Sequence, residues 1–267
     1  GKGGVGKTNV VANTAVALAR LGERVLILDA DLGLANMDVI CGLAPRWTLE
    51  HVVAGRKDLA DIVIEGPAGV RILPASRGKQ ELTALSEGER LHLLAAMDAF
   101  DEEFDTMFVD IGAGISSNVC YFAAAAREIL IVATPEPTSI TDAYALIKVL
   151  RQRHEEREFR LVVNCAPDEA AARAVHRNLT SVADRYLDVS IQLLGWVLRD
   201  PKVEEAVCLQ IPVVEAFPES DAARCFRRLA VDLRASAPSE RGKGGVQFFF
   251  RRFLTAGPAA EKAAAHA

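Results

Sequence analysis

The sequence is poor in the features that mark several large protein classes. It has five cysteines, Cys41, Cys120, Cys165, Cys208 and Cys225, but no pair at C-x-x-C spacing. Neither a zinc site nor a disulfide framework is indicated, and reduced, mostly buried thiols in a cytosol are expected. There is no excess of positive charge. The formal net charge is -5, which argues against a surface built as a whole for nucleic acid. No apolar run is long enough to span a bilayer, and no signal peptide stands at the visible start. Aromatics make up 6% of the chain, and no internal repeat is found. What is present is a 267-residue chain, half of it apolar. That is enough to bury the core of one large α/β domain with appendages.

Residues 1–8, GKGGVGKT, fit the phosphate-binding pattern G-x-x-x-x-G-K-[ST]. Glycines let consecutive backbone N–H groups curl around phosphate oxygens with no Cβ in the way. Gly1, Lys2, Gly3, Gly4, Val5, Gly6, Lys7 and Thr8 are therefore candidate nucleotide contacts. Lys7 is placed to reach the β and γ phosphates, and the Thr8 hydroxyl to ligate Mg²⁺. A helix opening at Thr8 would turn its positive dipole end to the same phosphates. Lys2 is unusual, because an ordinary loop of this kind needs one lysine. Such a loop normally leaves the carboxyl edge of a sheet, yet here it opens the sequence. The chain is therefore expected to lack a central strand upstream, and to be less stable than a protein that has it.

Downstream, near-continuous apolar runs at residues 24–29, 70–74, 106–110, 128–133, 160–164 and 193–198 have the length of strands covered on both faces. Helical patterns separate them at residues 8–21, 48–54, 87–100, 116–126, 139–153, 169–186, 201–207 and 221–235, with Gly22 as a helix stop. The alternation predicts an α/β fold, a doubly wound, mainly parallel sheet flanked by helices. Ligands of such sheets sit beyond the carboxyl ends of the strands. Asp29 and Asp31, Asp110 and Asn164 occupy those positions. An aspartate there can simply cap a turn. Asp110, after an apolar run and before Gly112 and Gly114, matches the second acid that holds Mg²⁺ in P-loop proteins. Asp31 lies further out than Asp29, where the γ phosphate and an attacking water would be.

Residues 236–245 read as a linker between a domain at 1–235 and a short amphipathic segment at 246–256, with a disordered tail expected at 257–267. On a helical wheel Val246, Phe249, Phe250, Phe253 and Leu254 share one face beside Arg251 and Arg252. Phe248 falls on the wrong side. This combination suits a helix lying on anionic lipid. A helix docked on its own domain or on a partner would show the same pattern.

The two lysines of GKGGVGKT, DADLGLANMD at 29–38 and VDIGAGIS at 109–116 together resemble the deviant Walker A ATPases of the MinD/ParA group, over roughly residues 1–235. KTNVVAN at 7–13, DLGLANMDV at 31–39 and TPEPTSITDAYALIKVL at 134–150 look most like the FlhG branch of that group, MinD-like regulators of flagellar number and placement. The resemblance implies ATP, Mg²⁺ and slow hydrolysis, with Lys2 crossing a homodimer interface to the partner's nucleotide. It implies that Asp31 positions the hydrolytic water, with Asp29 beside it, and that Asp110 is the Walker B acid. Catalytic candidates are thus Lys2, Lys7, Asp31 and Asp110, and metal candidates Thr8, Asp31 and Asp110. Residues 31–38 and 111–115 correspond to switches I and II. Asn164 is expected at the adenine edge, and Asp200, beside Pro201, in the loop flanking the base. The implied partners are a second copy of the chain, an anionic membrane at the inner face of the cell membrane, an FlhF-like GTPase and flagellar switch proteins, with no nucleic acid. A division-site MinD and a ParA-type DNA segregation ATPase stand as alternatives.

Overall fold

The computed structural model describes residues 2–31, 36–74, 86–100, 103–235, 249, 250 and 252. Two parallel sheets carry the fold. In the first, β1 (Val25–Ala30) lies between β3 (Arg71–Pro74) and β4 (Thr106–Ile111), and the short β2 (Ile64–Glu65) closes the edge antiparallel to β3. In the second, β6 (Glu158–Ala166) lies between β5 (Leu130–Ala133) and β7 (Ser190–Leu198), all parallel. Every residue of β1 is buried, as the unbroken apolar run predicts for a strand with helices on both faces.

The main helices fall where the 3.6-residue periodicity places them. They are α1 (Lys7–Arg20), α5 (Glu87–Asp98), α6 (Ser117–Ala125), α7 (Pro137–His154), α8 (Glu169–Tyr186), α9 (Pro201–Leu209) and α11 (Asp221–Arg234). The short α2 (Met37–Ile40), α3 (Leu49–Val53), α4 (Leu59–Ile62) and α10 (Val213–Ala216) complete the order. Gly22 takes φ +90 just after α1, the left-handed residue that ends a helix. One core packs α1 and α11 against both sheets and includes Leu18, Phe226 and Ala230. A second lies under α7 and α8, and a third joins β1, α5 and α6.

The facing edges of β4 and β5 line a cavity of about 520 Å³, bounded by residues 106–111 of β4 and by Leu130 and Val132 of β5, with Lys7 and Val10 also on its wall.

Two expectations change. Among the cysteines only Cys41 and Cys120 are buried; Cys165 and Cys208 are exposed, Cys225 is intermediate, and all five are free. Their neighbourhood in the sequence is apolar, but Cys165 is an exposed residue near the end of β6 and Cys208 is exposed on α9, so burial preference alone misplaces them. The second concerns the C-terminal aromatics. Phe249 and Phe250 are 6% and 0% exposed, packed in the third core, with Phe249 stacked on Phe122 of α6 at 6.4 Å between ring centroids. In this structure they face protein rather than lipid. Val246, Phe253 and Leu254, the other residues of the expected membrane face, lie outside the described residues, as do the linker and the tail. No helix among the described residues is long and apolar enough to cross a membrane.

Candidate nucleotide site

The loop at residues 2–8 is shaped by two left-handed glycines, Gly4 at φ +81 and Gly6 at φ +82. Gly6 is the N-cap of α1, and its carbonyl accepts from Val10 N at 2.9 Å. The loop is tied to the second sheet by Asn164 at the end of β6, whose Nδ2 donates to the Val5 carbonyl at 2.9 Å. A Cβ on Gly6 would stand 2.4 Å from that same Nδ2. Glycine is therefore required twice over, by backbone conformation and by space. Gly1 lies outside the described residues.

Two strand ends of the first sheet deliver the acids. Asp29 and Asp110 are register partners on β1 and β4, so parallel pairing brings them side by side. Burial pushes the Asp29 carboxyl up to about 7, and neighbouring Asp110 adds to the rise. Asp110 is pushed up to about 6 by burial, against the opposing pull of the Thr8 hydroxyl, which donates to it, and of Lys7. Both shifts say that the site holds more negative charge than its surroundings solvate. Asp29 is also a local anchor: Oδ1 accepts from Asp31 N and Oδ2 from Met37 N, each at 3.3 Å. It thereby holds the chain on both sides of residues 32–35, which lie outside the described residues. Asp31 comes so close to the segment after β4 that a Cβ on Gly112 would stand 3.1 Å from its Oδ1. That segment then runs through Gly114 and the exposed Ile115 into Ser116, the N-cap of α6.

These donors suit Mg²⁺. It takes oxygen ligands, keeps several waters, and is bound by one or two carboxylates together with substrate phosphates. Thr8 and Asp110 share a hydrogen bond at the foot of the loop, and a cation there would relieve the crowding that raises Asp110. Among the described residues no group of three or more His, Cys, Asp or Glu forms a cage of its own, as expected when phosphate and water supply the remaining ligands.

The two residues expected near the base also make contacts within the protein. Asn164 spends one amide N–H on the loop backbone, at the Val5 carbonyl. Asp200 caps two helices at once, with Oδ1 accepting from Lys202 N of α9 at 2.9 Å and Oδ2 from Ala222 N of α11 at 3.1 Å. Its carboxyl is accordingly held below the ordinary range, the N–H donors outweighing burial.

Lys2 points to neither the acids nor the core. Its Nζ donates to Glu136 Oε2 at 2.9 Å and to Thr138 Oγ1 at 3.1 Å, at the start of α7. Sequence reasoning missed both partners. Applied to the strand ending at Ala133, the strand-end rule that picked out Asp110 would have reached Glu136 three residues on. Asn13 was missed too. Fully buried on α1, it accepts from Val214 N at 3.1 Å and donates to Asn9 O at 2.8 Å, so it links the helix behind the loop to α10.

A glycine-shaped loop on a helix N-terminus, a lysine and a threonine at its end, and an acid at the end of the neighbouring strand define a P-loop nucleotide hydrolase. The AAA domain family matches residues 1–163. The antiactivator FleN of Pseudomonas aeruginosa is 45% identical over 95% of this chain and 91% of its own length. The flagellum site-determining protein YlxH of Helicobacter pylori is 32% identical over 95% and 87%. Among solved structures, MinD of Pyrococcus horikoshii complexed with Mg-ADP superposes with a TM-score of 0.68 at 28% identity, covering 90% of this chain and 96% of that one. The chain belongs to the MinD/ParA family of P-loop ATPases, the family that includes FleN. It is an ATPase that uses ATP and Mg²⁺.

Proposed function

We propose that this protein is a switch in which bound ATP pairs two copies of the chain, slow hydrolysis separates them, and the paired form acts at the membrane to control flagellar number or placement. The observation that carries this reading is the doubled lysine. Lys7 and Thr8, at the start of α1, serve the phosphates and Mg²⁺ of their own subunit. Lys2 sits on the outer side of the loop, with its side chain 40% exposed, where a second subunit can meet it. Two triphosphates brought face to face repel one another. A lysine donated from each side offsets that repulsion and stabilises charge on the transferred phosphoryl group. Mg²⁺, when bound, neutralises charge on the β and γ phosphates. Asp110 with Thr8 holds its place, and Asp31 orients the attacking water beside Gly112. The flagellar assignment rests on similarity to FleN and YlxH, each covering nearly the whole chain.

Membrane association in this reading depends on release of the C-terminal aromatics. Phe249 and Phe250 lie against Tyr121 and Phe122 of α6, and α6 is the helix that follows the second switch. A rearrangement at residues 111–115 on ATP binding would shift the surface that holds the Phe pair. One such short helix binds lipid on the scale of a single acyl chain, roughly 10⁴ M⁻¹. Two on one dimer gain about 10² to 10⁴ in avidity, so occupancy of the membrane would follow nucleotide.

Sedimentation velocity with Mg²⁺ and a non-hydrolysable ATP analogue, repeated with ADP, tests pairing. Pelleting with anionic liposomes under the same conditions tests membrane coupling. A dimer that forms and pellets with the analogue alone is the expected result. A monomer with the analogue bound would remove the switch, and equal pelleting with ADP would remove the coupling.

A further inference from the structure

The turn between β5 and α7 is built to be stiff. Glu136 stands between Pro135 and Pro137, whose rings fix their own φ and restrict the residues before them. Buried Ser139 closes the turn from below, its Oγ accepting from Thr134 N at 2.9 Å. Thr141 Oγ1 returns to the Pro137 carbonyl at 3.0 Å. On this platform Glu136 Oε2 and Thr138 Oγ1 stand together, both within hydrogen-bond reach of Lys2 Nζ. The lysine comes from 134 positions earlier in the sequence and is followed by Gly3 and Gly4. The backbone that carries Glu136 and Thr138 is the stiffer side of this contact.

We infer that Glu136 and Thr138 form a parking site for Lys2 within its own subunit, and that Glu136 is a positioning residue that competes with the partner's nucleotide for this lysine. The inference deepens the pairing reading above and rests on it. Parking keeps a cation at the edge of the loop while the subunit is alone. It also aims the side chain away from the subunit's own phosphate site, where a second lysine would duplicate Lys7. The contact is weak enough to exchange. The Lys2 and Glu136 side chains are 40% and 64% exposed, and ion pairs of that kind are screened and add little. A triphosphate presented by a second subunit offers several charged acceptors and wins the lysine. Parking therefore sets a threshold on pairing without preventing it.

The platform gives the test its controls. Glu136→Gln keeps shape and removes the charge, and Lys2→Ala removes the group that is parked. With Mg²⁺ and a non-hydrolysable ATP analogue, Glu136→Gln should tighten the monomer–dimer equilibrium about two- to five-fold, the range a partly exposed ion pair can supply. The change should vanish when Glu136→Gln is made on Lys2→Ala, as a double-mutant cycle requires. Unaltered or weaker pairing in Glu136→Gln, with the wild-type chain pairing normally, would overturn the inference. So would an equal change in both backgrounds. A wild-type chain that stays single with the analogue would instead sink the pairing reading. Parking can then still be judged in the nucleotide-free monomer, by the rate at which an amine-reactive acetylating reagent labels Lys2, read by mass spectrometry. Faster labelling in Glu136→Gln supports the parking site, and an unchanged rate rejects it.

Discussion

The first sheet ends in carboxylates and the second in groups that hold other protein atoms. On β1 and β4, Asp29 and Asp110 are buried side by side with their pKa values raised. After β5 and β6, Glu136 and Thr138 hold Lys2, and Asn164 holds the Val5 carbonyl. The phosphate loop lies between the two sets. In physical terms, the first sheet concentrates buried carboxylates that Mg²⁺ and Lys7 would offset, and the second sets the shape and reach of the loop that carries Lys7. Substitutions on the first side should therefore change chemistry or pH response. Those on the second side should change affinity and pairing while leaving the chemical step closer to intact.

The largest effect is expected at Lys7, which faces Asp110 across the site. Lys7→Ala should lower ATP hydrolysis by about 10³-fold or more, since a cationic clamp on the transferred group is lost. A phosphate-release assay checks this, and a near-normal rate would mean that Lys2 substitutes for it. Next comes Asp31→Ala. It should lower hydrolysis by roughly 10² to 10³ while ATP binding and analogue-induced pairing persist. An unaltered rate would move the water-positioning role to Asp29, the other acid on that strand end.

The first side also has a pH signature. Asp29 has a folded pKa of about 7 against an ordinary 3.8, and Asp110 is raised in the same direction. The folded chain thus keeps protons that the unfolded chain releases. Their stabilising effect is complete below about pH 4 and is lost as pH rises through about 7. The nucleotide-free protein should melt at lower temperature at pH 8 than at pH 5.5. Asp29→Asn should abolish most of that difference, adding on the order of 2 kcal/mol at pH 8. Mg²⁺ and ATP should restore stability to the unsubstituted protein by loading the same site. Calorimetric scans at the two pH values decide it. A flat profile would mean that the two acids are solvated in the free protein.

Much of this arrangement is legible in the sequence, and unevenly so. The acids of the first side could be read because they end unbroken apolar runs. A parallel sheet places every such end on one edge, so Asp29, Asp31 and Asp110 converge without any tertiary information. The loop itself is contiguous. The second side resisted reading because its contacts are long-range: Lys2 meets Glu136 across 134 positions and Asn164 meets Val5 across 159. Asn164 could be placed at the right edge, but the group it would touch could not. Asp200 shows the same limit, since its second helix, α11, begins 21 residues later. Amphipathicity located the Phe pair without saying what covers it, because a lipid face and a protein-facing stripe carry the same residues.

The smallest effect is expected at Asn164, where the comparison between the sheets is put to its sharpest test. Asn164→Ala leaves the Val5 carbonyl without its side-chain donor, in a loop where Val5 is 2% exposed. An unsatisfied buried acceptor costs about 1–3 kcal/mol. Because the loop is pinned by this bond, most of the cost should appear as weaker nucleotide binding, about five- to tenfold, with a smaller loss in the rate at saturating ATP. Gly6→Ala alone should be worse, since the new Cβ meets the Asn164 amide at 2.4 Å while φ remains +82. Combining the two removes the collision and leaves the backbone strain, so the double variant should bind nucleotide better than Gly6→Ala does. Calorimetric titration of an ATP analogue into the three variants measures that coupling. If the double variant binds no better than Gly6→Ala, the glycine is required by its backbone alone. Asn164 would then be a bystander to the loop rather than its clamp.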